Sequence, residues 1–236
     1  MRGVGQMAIV AGSAGAVEPE SRVTALCGMF LGLLLVATFA VSYNFPAGPA
    51  EADATLAGFN SFRAAFIAGD VFIGLAALFA VPYFIGLRNA FGGGDRVLVG
   101  SATILALVGV VVTAAVFIGE TIALDVLSAA YATGGVSKTA AVIDAQAVIG
   151  FGTVEVFGFL LFAAGFVGFG LATIRGHPFP RWLGYVGILG GLLFLPGALP
   201  VSGAFTALIA GVVLILVWIV ASSALLWRST TPIASG

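Results

Sequence analysis

An all-α, polytopic transmembrane helical bundle of six spans, with both termini cytoplasmic, is the fold class this sequence predicts, and three observations predict it. Hydrophobic residues make up 61% of the 236 residues, charged residues only 8%, and the mean hydropathy is +1.18, far from the composition of a water-soluble domain. The apolar residues gather into six runs, each near or beyond the ~20 residues that carry a helix through hydrocarbon. Basic residues, finally, collect in alternate loops.

The elements follow in order. Residues 1–21, rich in Gly, Ala and small polar residues, have no sustained periodicity and read as a flexible tail. The first span covers about 23–43 and is read as retained, because it exceeds a signal-peptide core. Pro46, Pro49, Glu51 and Asp53 mark a polar loop before the second span, 64–87. Arg88 and the Gly92-Gly93-Gly94-Asp95-Arg96 turn close that span, since consecutive glycines do not hold a helix. The third span, 98–127, ends before Thr133-Gly134-Gly135. The fourth, 140–174, is too long to stand upright in a bilayer and is expected to tilt or project. Arg175 to Arg181 forms an emphatic turn with Pro178 and Pro180. A glycine-rich fifth span, 182–199, and a sixth, 204–227, complete a domain over 22–228, followed by a short tail over 229–236.

Orientation follows from the retention of positive loops in the cytoplasm. Both termini inside leaves Arg2, Arg22, Arg88, Arg96, Arg175, Arg181 and Arg228 on the cytoplasmic side, with only Arg63 and Lys138 outside. Trp182 and Trp227 near the inner boundary, and Tyr43 and Tyr131 near the outer one, fit the same placement.

The chemistry rests on acids within these spans. Asp70, Glu120 and Glu155 stand on the second, third and fourth spans, and counting from the expected outer ends puts each roughly 9–12 Å below the outer boundary. An ionisable side chain at that depth costs free energy unless it is paired, protonated or hydrated, so three at one level ask for a common reason. Asp144 lies eleven residues before Glu155, three helical turns, and shares its stripe; Arg63 lies seven before Asp70 and shares that face. Asp70, Glu120, Glu155, Arg63 and Asp144 are therefore the candidate ligand- or proton-binding residues. In the functional reading the acids form a polar chamber in the outer half of the bundle that takes a small ligand or cation, or that titrates in a proton- or cation-coupled transporter or channel. In the structural reading they bond to Arg63 or to neighbours such as Thr121 and Thr153 and fix helix register.

Other chemistry is poorly served. Cys27 is the single cysteine and His177 the single histidine, so no disulfide, metal or haem set is expected, and no cofactor. No nucleophile elbow, zinc-protease motif, phosphate loop or nucleotide fingerprint occurs, so no catalytic residues are assigned. A formal charge of −1 gives no basic surface for nucleic acid. The expected partner is the lipid bilayer, with a homo-oligomer open; Gly187-x-x-x-Gly191 suits close helix contact within the chain or between copies.

The run Phe179-Pro180-Arg181-Trp182-Leu183-Gly184-Tyr185-Val186-Gly187 resembles the loop-and-helix signature of a widespread bacterial and archaeal family of small polytopic membrane proteins of unknown function. The likeness extends over the six-span layout, including an Arg followed by an intramembrane Asp in the second span. That resemblance implies a helical bundle in a bacterial or archaeal cell membrane and supplies no catalytic residues.

Overall fold

The computed structural model describes residues 14–42, 51–92, 95–150, 152–176, 178–195 and 204–228. Over those residues the chain is helical: α1 (Ala14–Ser42), α2 (Ala52–Ala90), α3 (Arg96–Thr133), α4 (Gly135–Gly150), α5 (Gly152–Arg175), α6 (Arg181–Phe194) and α7 (Ala204–Arg228). Segments of α1, α2, α3, α5 and α7 are long and apolar enough to cross a membrane, five candidate spans in all. The fifth expected span corresponds to α6, whose 14 residues reach only about 21 Å, short of a hydrocarbon core of about 30 Å. Pro196 and Pro200, read as its end, lie outside the described residues, as do the N-terminal tail before 14, the 43–50 loop, His177 and the tail from 229.

Six helices close a ring. α1 packs on α2, α2 on α3, α3 on α5, α5 on α6, α6 on α7, and α7 returns to α1. Lipid offers no hydrophobic drive between helices, so close backbone approach through small residues does the packing. Along α3 and α5 a Cβ on Gly109 would collide with the Phe162 backbone, and Cβ atoms on Gly165 and Gly168 would come within 2.8 Å of the Cβ atoms of Ala106 and Ala102. α6 uses its glycines on two sides: Gly184 and Gly191 fit against α5, Gly190 against Leu214 and Ile215 of α7. Large apolar side chains point away from the ring, with Leu33, Leu78 and Ile104 each more than 60% exposed, the distribution expected where the surrounding solvent is lipid.

The ring's core is aromatic toward the Arg88–Arg96 end. Phe84 stacks on Phe169 with centroids 5.7 Å apart, Phe91 stands over the same ring at 6.1 Å, and Trp218 meets Phe166 edge-on at 5.3 Å. Quadrupolar rings prefer such offset and edge contacts. Beside them the Tyr83 hydroxyl and the Ser222 hydroxyl share a 2.6 Å hydrogen bond that ties α2 to α7. The Trp218 indole N–H is the one buried side-chain polar atom without a hydrogen-bond partner among the described residues.

At the other end the structure departs from the sequence reading. α2 begins at Ala52, twelve residues before the expected start at Ala64, and α3 and α2 run for 38 and 39 residues, about 57 and 58 Å and nearly twice a bilayer core. Their overhang is paired with α4. Over the expected fourth span the described helices are α4, to Gly150, and α5, from Gly152, with residue 151 outside the described residues, and α4 packs on α3 and α2. Gly134 and Gly135, at φ 76° and 60°, make the reversal between α3 and α4, because only a residue without Cβ adopts that backbone cheaply. Ala52, Leu56 and Phe59 of α2, Leu124 of α3, and Ala141 and Ala145 of α4 bury one another in a second, smaller core.

Candidate functional site

The two cores meet at a polar waist. Asp70 lies between Phe66, which packs on the smaller core, and Ile73, which belongs to the ring core. Glu120 lies between Phe117 and Leu124 in the same way. Thr121, almost fully buried, donates its hydroxyl to Asp70 Oδ1 at 3.1 Å, which locks the register of α2 against α3. Thr121 is the residue next to Glu120, so this bond sets the two acids on facing turns of neighbouring helices. Antiparallel helices sharpen this convergence: Cβ atoms lean toward each helix's N-terminus, so Asp70 tips toward the α4 end and Glu120 toward the ring interior.

Burial of the site is partial. Asp70 and Glu120 are each half-buried, and no charged side chain is fully buried among the described residues, so the full enclosure read from the sequence is not met. The long helices explain the difference. From Leu87 to Asp70 is about 26 Å along α2, and from Leu98 to Glu120 about 33 Å along α3, so the acids stand near the far rim of a bilayer anchored at the Arg88–Arg96 turn.

The remaining candidates divide. Arg63 does not reach Asp70; its Nε donates to Asp125 Oδ1 at 2.7 Å and its other fork arm to Oδ2 at 3.1 Å. Asp125, which sequence reasoning passed over, thus takes the arginine on the exposed side of the α2–α3 pair. Asp144 is exposed on α4, which packs on α3 and α2. Glu155 lies in α5, four residues before Phe159, but its side chain lies outside the described residues. The α4 overhang carries its own ion pair, Lys138 to Asp53 at 3.7 Å. Lys138 also stands 4.5 Å above the Tyr131 ring, and contact with Tyr131, helped by Asp53, holds its ammonium above the usual lysine range.

Directly inside the waist is a cavity of about 90 Å³ on the axis of the ring, partly open to the outside. All six ring helices line it: Thr38 from α1, Ile73 from α2, Phe117 from α3, Phe159 from α5, Phe194 from α6 and Leu216 from α7 are among its walls. Its surface is almost wholly apolar. Sequence periodicity gave no sign of it, because a void on a ring axis depends on how six helices meet.

No curated protein and no solved structure matches the chain. The polytopic family to which the Phe179–Gly187 run pointed is nevertheless identifiable: the sequence model of DUF4386, a domain of unknown function, matches residues 23–230, and the chain belongs to that family.

Proposed function

We propose that this multi-pass membrane protein binds a small ligand or cation at the acidic waist, in the outer half of the bundle with both termini cytoplasmic. The observation that carries the reading is the placement of Asp70 and Glu120 on adjacent helices between two apolar cores, joined through the Thr121–Asp70 hydrogen bond. A purely structural pair needs only one acid and its Thr121 donor. The second carboxyl adds repulsion that a bound positive charge relieves, since opposite charges within a few ångströms attract strongly where water is partly excluded. Arg63 is occupied by Asp125, which leaves the negative charge of the waist uncompensated by that arginine.

The test is thermal unfolding of the purified protein in nanodiscs of zwitterionic lipid across a series of inorganic and organic cations. A saturable rise in Tm with at least one cation is expected, and it should disappear in both Asp70→Asn and Glu120→Gln. If every cation leaves Tm unchanged, or if the doubly neutral variant responds as the parent does, the acidic waist is not a cation site.

A further inference from the structure

Asp70 and Glu120 each lie one helical turn from a wall of the axial cavity. Asp70 is three residues from Ile73 and Glu120 three from Phe117, spacings that place each pair on one helix face. Glu120 leans toward the ring interior, the side on which Phe117 meets the cavity. The apolar pocket therefore ends about one helical turn short of the two acids. Neither half alone names a ligand; together they specify one, with an apolar body and a positive head about 5 Å away, the rise of one turn.

We propose that the ring axis is a binding site for a small lipophilic ammonium ion, its aromatic or branched body filling the cavity and its ammonium lying between Asp70 and Glu120. The inference rests on the cation reading of the waist and adds the class of cation. The dimensions agree. A cavity of about 90 Å³ has the room of a single aromatic ring, and a two-carbon linker carries an ammonium roughly one turn from that ring. Phe117, Phe159, Phe162 and Phe194 line the cavity, which supplies edge and face contacts for a ring and π-faces for the adjacent charge. Apolar cavities of this kind stay dry and take apolar guests. The Thr38 hydroxyl in the wall is already committed to the Leu34 carbonyl at 2.9 Å, so the wall makes little polar demand on the guest. A partly open mouth admits the ligand along the bilayer, where amphipathic amines concentrate. Inorganic cations lack the body, and neutral aromatics lack the head.

The probe is 4-fluorophenethylammonium, followed by fluorine NMR against the full chain in zwitterionic nanodiscs, with empty nanodiscs as the partition baseline. Saturable binding is expected. It should weaken at least tenfold in Glu120→Gln, which removes charge from the rim, and in Val212→Phe, which fills the cavity from α7. Leu216→Phe, at a half-buried wall position, replaces Val212→Phe should that variant fail to assemble. The matched alcohol, 2-(4-fluorophenyl)ethanol, should bind at least tenfold more weakly, and ethylammonium in tenfold excess should not displace the probe. If the cavity-filling variants bind the probe as the parent does and ethylammonium displaces it, the inference falls while the acidic cation site stands. If the alcohol binds as well as the ammonium and Glu120→Gln changes nothing, the cavity takes neutral guests and the inference falls. Absence of any saturable signal also overturns it, and the Tm series with inorganic cations then decides the waist separately.

Discussion

Thr121 and Tyr83 show how single polar groups are used inside an apolar ring. Thr121 donates to Asp70 across the α2–α3 contact at 3.1 Å; Tyr83 shares its hydroxyl with Ser222 across α2–α7 at 2.6 Å. The two bonds differ in what is left behind when they are cut. Tyr83→Phe strands little, because Ser222 still donates to the Ile219 carbonyl at 3.0 Å, and a loss of about 1 kcal/mol is expected. Thr121→Val keeps shape but leaves a half-buried carboxyl that water can partly resolvate, so the stability cost should be of similar size, about 0.5–1 kcal/mol. Their effects on the waist separate them. Thr121→Val frees Asp70 and should alter the cation-dependent rise in Tm, whereas Tyr83→Phe, in the aromatic end of the core, should lower Tm equally with and without cation. Equal cation responses for parent and Thr121→Val would show that the hydroxyl does not position the acid.

Helix contacts concentrate where side chains are absent. Gly109 faces the Phe162 backbone so closely that no Cβ fits, while Gly119, ten residues along the same helix, has nothing within 4 Å of a Cβ position. Gly109→Ala must therefore push α3 from α5 and should cost about 1–3 kcal/mol as overpacking does. Gly119→Ala adds only helix propensity and should be neutral or stabilising by up to about 1 kcal/mol. Equilibrium unfolding of the two variants in mixed micelles checks both signs, and a tolerated Gly109→Ala would mean the ring relaxes at that contact. The same scale shows what sequence reasoning reaches. Hydropathy located the runs that become the five candidate spans, and the wide glycine spacing of α6 marked a packing face. The first three turns of α2 were hidden by Glu51 and Asp53, which with Pro46 and Pro49 read as a polar loop, although Ala52, Thr55, Leu56 and Phe59 recur at helical spacing and are all buried. Thr121 was a visible neighbour of Glu120, but its bond to Asp70 spans 51 residues, and Asp125 reaches Arg63 across 62; pairings at that distance come from tertiary packing, which periodicity does not encode.

At the scale of the molecule, two unequal cores share two long helices, and the bilayer cannot enclose both. The ring presents apolar residues on its outer face, while Arg63, Asp125, Asp53, Lys138 and Asp144 gather on the overhang of α2, α3 and α4. Ion pairs of that exposure contribute little to stability in water, but they are costly in hydrocarbon, so the overhang belongs outside the membrane core and the acids at its base stand where water reaches them. Single-cysteine labelling tests this arrangement. Cys27 is buried and should stay silent toward a membrane-impermeant maleimide, giving a clean background. In intact cells Ser137→Cys, exposed at the start of α4, should react from outside, whereas Ile104→Cys, exposed but level with the ring core, should resist because lipid covers it. A cysteine at Asn89, exposed in the last turn of α2, should react only after the cells are opened. Labelling of Asn89→Cys in intact cells together with protection of Ser137→Cys would invert the molecule, placing the mouth of the waist toward the cytoplasm and the arginine-rich turns outside, against the charge distribution that sets membrane orientation. Labelling of Ile104→Cys would remove the lipid belt itself, and with it the reason for a ring whose outer face is more apolar than its waist.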